Sequence, residues 1–236
     1  MRLALLGYPI SHSLSPEIYR DLLGSELKSY DLLEIQNKSD IPSLTELAKR
    51  FDGLSITAPY KEIYFSQVKI DSNVVEKLGF INAISFCDDG ARATNTDLLA
   101  AQKILSQFRD QFSKLSLIIL GNGSMAKMMV LLAEQYQIDF IRLSRDQGLD
   151  LAHEDLRKYE KPDQQMLVIN TCSRSFVFQG QIHSSYIFWD LNYSFLPHQN
   201  TLPSQVSSYI DGKEMVRLQA ESALKFWRET NPKLKC

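Results

Sequence analysis

The chain has 236 residues, of which 44% are hydrophobic and 23% are charged, a composition that is ordinary for a globular enzyme. Its net charge of −2, from 26 basic and 28 acidic side chains, gives no basis for binding nucleic acid or an anionic membrane. No apolar stretch approaches the ~18 residues of a membrane span, and the apolar start at residues 1–7 is too short for a signal peptide. The composition therefore predicts a cytoplasmic protein without a nucleic-acid or membrane partner.

The cysteines and histidines give no sign of a disulfide framework or a metal site. Cys87, Cys172 and Cys236 are odd in number and far apart, and no C-x-x-C motif occurs. The four histidines lack the spacing of metal ligands, and we expect them at the surface or in loops. They are His12, His153, His183 and His198. We therefore predict a reducing compartment and no bound metal.

The first part of the chain alternates between strand and helix patterns. Residues 2–7 predict a strand, and a loop then leads to a helix that we expect Ser15 to cap, with Pro16 as its first helical residue. A second strand is predicted near residues 30–35 and a second helix near 41–51. This alternation predicts a parallel sheet and a small α/β unit.

The next strand carries a lysine just beyond its end. The strand begins at Gly53 and is stopped by Pro59, which leaves Lys61 where α/β proteins place their ligands. A solvated surface lysine explains that position equally well. Residues 71–78 then predict a helix, and residues 80–86 predict a strand that enters an Asp-Gly hairpin turn.

A group of polar residues precedes the helix predicted over residues 98–108. Asn95, Thr96 and Asp97 are the types that cap helix N-termini. Capping accounts for the helix, but it does not explain why three polar types share one loop end. The chemistry of this segment therefore stays open on these residues alone.

The middle of the chain contains a glycine-rich turn. The unbroken apolar run 115–120 is typical of a strand buried on both faces of a parallel sheet. Gly121, Gly123 and Ala126 then form G-x-G-x-x-A ahead of a helix predicted over residues 128–136. In a dinucleotide fold this turn lets a pyrophosphate approach the helix N-terminus. The motif alone is weak evidence, but its place between strand and helix favours nucleotide binding over a plain strand-turn-helix.

The strand predicted over residues 138–144 ends at Ser144, Arg145 and Asp146. A dinucleotide fold meets the adenosine ribose at this distance beyond the glycine turn. Arg145 offers a donor fork to the 2′-phosphate of NADP, whereas an acid such as Asp146 would bind the ribose hydroxyls of NAD. Arg145 therefore favours NADP, and Asp146 complicates that choice.

The remaining segments complete the pattern. Residues 166–170 and 186–190 predict strands, and residues 194–205, rich in Ser, Pro and Asn, predict a long loop. Residues 213–229 predict a final helix.

Seven short motifs make the chain similar to the shikimate dehydrogenase family. The family motifs that the chain resembles are S-x-S-P at 13–16, a lysine loop at 55–61, G-x-x-N-T at 79–83, N-T-D at 95–97, I-N-x-T-S at 169–173, D-x-x-Y at 190–193 and G-x-x-M-x-x-x-Q-A at 212–220. Each motif is weak by itself, but seven in order at plausible spacing are highly specific. Ser144-Arg145 also resembles the family's N-R-T, which strengthens the choice of NADP.

The resemblance implies an α/β fold with two domains. An N-terminal α/β substrate domain would comprise residues 1–100 and 213–236, and a Rossmann-like NADP domain would comprise residues 101–212, with the terminal helix returning to the first domain. The implied activity is the reversible NADPH-dependent reduction of 3-dehydroshikimate to shikimate, in the formation of aromatic amino acid precursors. We expect a monomer or a homodimer.

The resemblance also implies roles for individual residues. Lys61 and Asp97 would form the catalytic acid–base pair, and which of them moves the proton in each direction stays open. The implied substrate ligands are Ser13, Ser15, Thr57, Asn82, Asp97, Tyr193 and Gln219. The implied cofactor ligands are Gly121, Asn122, Gly123, Ser124, Ala126, Ser144, Arg145, Asn170 and Gly212.

Four residues depart from the family pattern. Ser55 replaces an asparagine, Leu98 a glycine after N-T-D, Cys172 a threonine and Ser124 a second adjacent glycine. Because a serine hydroxyl is shorter than an asparagine amide, we expect Ser55 to leave one substrate oxygen unpaired or bridged by water, so that Ser55→Asn would tighten shikimate binding. The other possibility is that Ser55 only fills space.

The sequence is also compatible with two other functions. One is a quinate/shikimate dehydrogenase with relaxed cofactor use, and the other is a non-catalytic ligand-binding regulator that keeps the scaffold. Lys61, Asp97 and Gln219 are all present, which argues against the regulator because a binder needs no proton-transfer pair.

Overall fold

The computed structural model describes residues 1–234, so Cys236 lies outside the described residues. This part of the chain forms two compact units. The first contains residues 1–100 and the segment from Val216 onward, and the second contains Ala101–Met215. Each unit has its own β-sheet.

The chain contains eleven strands and seven α-helices within the described residues. The strands are β1 (Arg2–Gly7), β2 (Ser29–Glu34), β3 (Gly53–Ile56), β4 (Lys69–Ile70), β5 (Ala83–Cys87), β6 (Gly90–Thr94), β7 (Leu115–Leu120), β8 (Asp139–Leu143), β9 (Gln165–Asn170), β10 (Ile187–Asp190) and β11 (Ser208–Ile210). The helices are α1 (Ser15–Leu23), α2 (Leu44–Arg50), α3 (Asn73–Leu78), α4 (Thr96–Gln111), α5 (Ser124–Gln135), α6 (Leu196–Thr201) and α7 (Lys213–Thr230). The predicted α/β class is confirmed.

The sheet of the first unit has the order β2-β1-β3-β5-β6-β4. Strand β1 is parallel to β2 and β3, as the alternating pattern predicted. Strand β5 is antiparallel to both β3 and β6, because the predicted Asp-Gly turn at residues 88–90 folds β5 and β6 into a hairpin. The first sheet is therefore mixed rather than purely parallel.

The sheet of the second unit has the order β11-β10-β9-β7-β8, and every neighbouring pair is parallel. The chain runs from β7 to β8 on one side and then crosses to β9 on the other side of β7. This reversal makes a topological switch point between β7 and β9, which is where open α/β sheets bind ligands. The buried strand predicted over residues 115–120 is β7, and all its residues are buried.

Several predicted helix starts are wrong by a few residues, and α5, for example, begins at Ser124 rather than at residue 128. The starts of α1 and α2 have a structural explanation. Helix α1 includes Ser15 as its first residue, because the backbone already turns at Leu14 (φ −80°, ψ −6°), so Ser15 is not the cap. Helix α2 begins at Leu44 rather than near residue 41. Ser43 and Glu46 form a capping box there, in which each side chain binds the backbone N–H of the other.

The loop predicted over residues 194–205 is also wrong. It contains α6 and a 3₁₀ turn at Leu202–Ser204. The prediction relied on the polar residues of this segment and overlooked three residues that are buried in the structure, Phe195, His198 and Leu202. His198 is fully buried in α6, so the expectation of a surface or loop histidine is wrong for this residue.

The core of the first unit is completed by the returning helix α7. Trp227 is fully buried, and its Nε1–H donates to the carbonyl of Ile84 at 2.8 Å. Its ring lies against Gly53 of β3, where a Cβ would come within 2.7 Å of the indole. The centre of the Tyr19 ring, from α1, is 5.6 Å from the centre of the indole. Residues far apart in sequence therefore share one core.

The second unit has a separate apolar core. Its buried members include Ile118, Leu120, Leu143, Met166, Val168, Phe178, Phe188 and Leu202.

Within residues 1–234, no helix combines the length and the apolar character needed to cross a membrane.

Candidate active site and nucleotide site

The first sheet also has a switch point, between β1 and β3. Strand β2 lies on one side of β1 and β3 on the other, so the loops that follow β1 and β3 leave the same edge. They touch where the Tyr8 N–H donates to the carbonyl of Ala58 at 3.1 Å. The loop after β1 leads to Ser13 and Ser15, and the loop after β3 leads to Lys61. Open α/β sheets bind ligands at this kind of edge.

Lys61 and Asp97 form a close, largely buried ion pair. The Lys61 Nζ is 2.7 Å from Asp97 Oδ2, and the two side chains are only 10% and 16% exposed. The ammonium also lies 5.7 Å from the centre of the Phe80 ring. A buried pair is costly to desolvate and adds little to stability, so its presence at a ligand-binding edge points to function. The alternative of a solvated surface lysine is excluded.

The three residues of the N-T-D segment, Asn95, Thr96 and Asp97, make different contacts. Asn95 caps α4, because its Oδ1 accepts from the Leu98 N–H at 2.9 Å. Thr96 is fully buried and its N–H donates to Asn82 Oδ1 at 2.6 Å. Asp97 binds Lys61. Capping was the plain interpretation of this segment, and it accounts for Asn95 alone.

Thr96 joins two residues that the motifs singled out. Its hydroxyl lies 3.2 Å from Asn82 Oδ1 and 3.3 Å from Oε1 of Gln219 on α7. Asn82 and Gln219 are therefore brought together with the Lys61–Asp97 pair in the first unit. Sequence reasoning omitted Thr96 from the site, although its place beside Asp97 in the N-T-D motif was the available signal.

The serines and the threonine of this edge have defined positions. Ser13 is half-buried, and its Oγ accepts from the N–H of Ser15 at 3.2 Å. Ser15 is buried in the first turn of α1. Thr57 is half-buried beyond β3, with its N–H bound to the carbonyl of Leu6 at 2.9 Å. A Cβ on Gly7 would lie 2.3 Å from the Thr57 methyl group, so glycine lets these two loops pack closely.

Tyr193 lies in the second unit. Its carbonyl accepts from a guanidinium nitrogen of Arg174 at 2.6 Å, and that guanidinium also lies 5.4 Å from the Phe195 ring. Arg174 was not among the selected residues. Because Tyr193 belongs to the other unit, its role toward the substrate stays a prediction.

Ser55 does not line the site directly. Its hydroxyl has less than 1 Å² of accessible surface, so a substrate oxygen cannot touch it. It neighbours the hydroxyl of Tyr19, whose ring is fully buried and stacked on Tyr30 at 4.9 Å. Burial raises the pKa of the Tyr19 phenol well above its ordinary value, and Tyr30 adds to that rise. The hydroxyl itself is therefore not a substrate ligand, and the expectation that one substrate oxygen is left unpaired or bridged by water beside Ser55 stays a prediction.

We expect Ser55→Asn to destabilise the protein and not to improve shikimate binding. Tyr19 fills the space beside Ser55, and two additional heavy atoms there would overpack the core at a cost of about 1–3 kcal/mol. Chemical denaturation and shikimate kinetics on the same samples test this. Ser55→Ala is the matched control and should be nearly neutral, because it removes a hydroxyl that has no hydrogen-bond partner of standard geometry within residues 1–234. A stable Ser55→Asn variant that binds shikimate more tightly would contradict the expectation.

Leu98 is another departure that belongs to packing. It is 2% exposed in the first turn of α4. A leucine at this position adds apolar contact where a glycine would add none, so its replacement of the family's glycine is a change in the core.

The glycine turn has the geometry that a nucleotide needs. Gly121 has a φ of +120°, a backbone conformation that residues with a side chain rarely adopt. A Cβ at this position would lie 2.5 Å from Thr171 Oγ1. A Cβ on Gly123 would meet nothing within 4 Å, so the space above the start of α5 is open. Helix α5 begins at Ser124 and runs for 12 residues, and Ala126 is fully buried against the sheet. Free N–H groups at this helix start can receive a phosphate.

Polar side chains meet at the end of β8, beside the glycine turn. Asn122 donates to Asp146 Oδ2 at 2.7 Å and accepts from the guanidinium of Arg142. Ser144, which is buried, bonds to Asp146 Oδ1. Arg145 is exposed. Asp146 is therefore held by Asn122 and Ser144, and Arg142 is a second arginine near the turn that sequence reasoning missed.

The other predicted cofactor residues support the loops of the second unit. Asn170 is fully buried, and its Oδ1 accepts from the Cys172 N–H at 3.1 Å. Gly212 packs so closely that a Cβ would lie 2.3 Å from the Leu191 carbonyl oxygen. Burial raises the pKa of the Cys172 thiol to about 11, so this thiol stays protonated at neutral pH. Within residues 1–234, no group of three or more His, Cys, Asp or Glu side chains could hold a metal ion.

Comparison with known proteins agrees with these motifs. Residues 5–84 match the family model described as the shikimate dehydrogenase substrate binding domain. The chain is 28% identical to the shikimate dehydrogenase (NADP(+)) of Oceanobacillus iheyensis over 98% of its own length and 93% of that protein. It is 22% identical to the enzyme of the same name from Ignicoccus hospitalis, over 98% of this chain and 95% of that protein.

Solved structures show the same fold. The shikimate dehydrogenase of Aquifex aeolicus superposes with a TM-score of 0.76 at 19% identity, over 97% of this chain and 93% of that one. A Thermus thermophilus shikimate 5-dehydrogenase, solved in complex with NADP(H) and shikimate, gives 0.70 at 17% identity, over 97% and 94%. The predicted architecture, an α/β domain followed by a Rossmann-like domain, is confirmed by these matches.

Proposed function

We propose that the chain is a member of the shikimate dehydrogenase family and that it catalyses the reversible NADPH-dependent reduction of 3-dehydroshikimate to shikimate. The main support is the buried Lys61–Asp97 pair, 2.7 Å apart at the switch point of the first sheet. The relatives over nearly the whole chain carry this activity in their names. A regulator that only binds a ligand would not need such a pair.

The second unit has residues that suit NADP. The positive φ of Gly121 and the open space at Gly123 let a pyrophosphate approach the start of α5. Arg145 is exposed at the end of β8, where its guanidinium is available to the 2′-phosphate. When bound, NADPH supplies the hydride for reduction of the carbonyl group. We therefore propose that residues 101–212 bind the cofactor and that residues 1–100 and 213–236 bind the substrate.

Lys61 is the residue that we propose to give the proton. Its ammonium has a donor for the carbonyl oxygen of 3-dehydroshikimate, and Asp97 holds that ammonium in place. In the reverse direction the pair must take up the proton of the shikimate hydroxyl, and either member can act as the base. Burial of both side chains restricts water around the proton that is transferred.

The remaining polar residues of the first unit provide contacts for a hydroxylated carboxylate. We propose that Ser13 and Ser15 bind the carboxylate end, and that Thr57, Asn82 and Gln219 bind ring hydroxyls. Asn82 and Gln219 are both oriented by Thr96. Tyr193 stays a proposed substrate ligand and belongs to the second unit.

An absorbance assay at the NADPH band tests the function. Shikimate with NADP should generate NADPH, and 3-dehydroshikimate should consume it. Quinate and NAD serve as alternative substrates in parallel reactions. Faster turnover of quinate would indicate the related quinate dehydrogenase activity, and binding without turnover of any of these would indicate a regulator. Size-exclusion chromatography with light scattering would decide between the proposed monomer and homodimer.

The cysteines are in keeping with the cytoplasm, which we propose as the compartment. Cys87 and Cys172 are both free thiols in the described part of the chain. Aromatic precursor synthesis consumes NADPH, a cofactor of the reducing cytoplasm.

Arg145→Ala is expected to remove much of the preference for NADP over NAD. One charge-assisted contact contributes about 1.5–3 kcal/mol, so the ratio of the two KM values should change roughly tenfold to a hundredfold, with NAD kinetics little altered. Arg157→Ala, which changes an exposed arginine elsewhere in the second unit, is the control. Equal use of both cofactors by the unmodified protein would contradict this and would point to Asp146 as a ribose ligand.

A further inference from the structure

A histidine is fully buried in the second unit, outside the residues that the motifs selected. His198 lies in α6 and is 0% exposed. Its Nε2 is 2.8 Å from the backbone nitrogen of Phe178, and its Nδ1 is 2.6 Å from Oδ2 of Asp190. Asp190 is the last residue of β10 and is also 0% exposed.

The two contacts fix which ring nitrogen carries the proton. A backbone N–H can only donate, so Nε2 accepts from Phe178. The hydrogen therefore sits on Nδ1 and points at the Asp190 carboxylate. His198 therefore donates from Nδ1 to the buried carboxylate, and the hydrogen bond at Nε2 sets this tautomer.

The Asp190 carboxylate collects donors from several loop ends. Its Oδ1 accepts from the Asn170 side chain at 2.9 Å and from the backbone and side chain of Asn192, both at 3.0 Å. The Tyr209 hydroxyl lies 3.3 Å from Oδ2, and burial raises the pKa of this phenol, with Asp190 adding to the rise. Oδ2 thus depends on His198 for its short hydrogen bond, while Oδ1 holds the two asparagines.

Asn170 connects the Asp190 carboxylate to the loop beside the glycine turn. Because its amide nitrogen donates to Asp190, its Oδ1 faces the other way and accepts from the Cys172 N–H. The loop that starts at Thr171 is also tied to β7, since the Thr171 hydroxyl donates to the Leu120 carbonyl at 2.7 Å. Thr171 Oγ1 lies where a Cβ on Gly121 would come within 2.5 Å. The Thr171 side chain therefore packs against Gly121, and the loop supports the turn.

We propose that His198 is a positioning residue for cofactor binding, acting through Asp190 and Asn170 on the loop that supports Gly121. This inference rests on the proposed function, because it concerns the NADP site. Asn170 has no exposed surface, so it can affect a cofactor only through its neighbours. Loss of the His198–Asp190 bond leaves Oδ2 with only the Tyr209 hydroxyl at 3.3 Å. The carboxylate is then held less firmly on that side, and Asn170, the loop and the turn shift with it.

Two substitutions at His198 separate this role from simple structural support. In His198→Gln, the side-chain oxygen can reach the Nε2 position and accept from Phe178, but the donor to Asp190 is lost. In His198→Asn, the amide nitrogen takes the place of Nδ1 and can donate to Asp190, but the acceptor for Phe178 is lost. Each variant removes one hydrogen bond, so both should lower thermal stability.

The expected result is a difference in cofactor affinity between the two variants. His198→Gln should raise the Kd for NADPH about tenfold to a hundredfold, the effect of one hydrogen bond to a charged group, with KM for NADPH rising in parallel and kcat changing less. His198→Asn should bind NADPH nearly as well as the unmodified protein. The probe is NADPH fluorescence, titrated below the unfolding temperature of each sample.

The outcomes are distinct. Unmodified protein that does not bind NADPH would overturn the proposed function itself. Unmodified protein that binds NADPH, together with equal affinity in both folded variants, would overturn the role of His198. If His198→Gln does not fold, Asp190→Asn tests the same link. A folded Asp190→Asn protein with unchanged NADPH affinity would overturn the proposal, and a tenfold or greater loss would support it.

Discussion

Lys61→Ala is expected to lower kcat for shikimate oxidation by about 10²–10⁴-fold, the usual contribution of general acid–base catalysis. KM for shikimate should change much less, because the ammonium acts mainly on the proton in transit. The physical basis is the 2.7 Å contact to Asp97 in a largely buried setting. Steady-state kinetics with saturating NADP provides the measurement.

The control for this prediction is another lysine of the same unit. Lys77 is exposed in the last turn of α3, and Lys77→Ala should leave kcat and KM unchanged. Normal turnover in Lys61→Ala would remove Lys61 from the chemistry. A loss of folding, detected by circular dichroism, would call for Lys61→Met, which keeps the length and apolar stem of the side chain.

Trp227→Ala is expected to lower the free energy of unfolding by about 3–5 kcal/mol, the range for removing a large aromatic side chain from a core. The indole is fully buried, covers Gly53 and donates to the Ile84 carbonyl. Its removal leaves a cavity and removes one hydrogen bond to the Ile84 carbonyl. Urea denaturation followed by circular dichroism gives the change in stability.

Trp227→Phe and Arg228→Ala define the origin of that loss. Phenylalanine keeps most of the apolar contact but not the hydrogen bond, so it should cost less than alanine. Arg228 is the next residue of the same helix and pairs with Glu26 on the surface, where an ion pair contributes about 0–1 kcal/mol. An Arg228→Ala loss as large as that of Trp227→Ala would show that α7 contributes through its surface instead.

Sequence patterns predicted most strands because hydrophobic periodicity is local. The run that became β7 and the short strand before Lys61 both have signals contained in a few residues. Strand β4, with two residues, and β11, with three, were missed because so short a segment has no periodicity. Helix starts depended on the capping partner, and Ser43 with Glu46 decided that of α2.

The site was predictable where a motif names a residue and unpredictable where packing decides its role. The motifs selected Lys61 and Asp97, and the structure places them in contact. The same reasoning did not predict the burial of Ser55, because nothing in the local sequence indicates that Tyr19 fills the space beside it. His198 was assigned to the surface because its partner Asp190 is on a different element.

The returning helix α7 also determines the order in which the chain can fold as it is synthesised. Residues 1–100 leave the ribosome first, but the core of their unit lacks Trp227 until the last part of the chain has been made. Residues 101–215 contain the whole second unit, so that unit can complete its core earlier. At about 5–20 residues per second, the segment with Lys61 waits several seconds for its final packing, and the apolar surface that Trp227 later covers is exposed to chaperones during that interval.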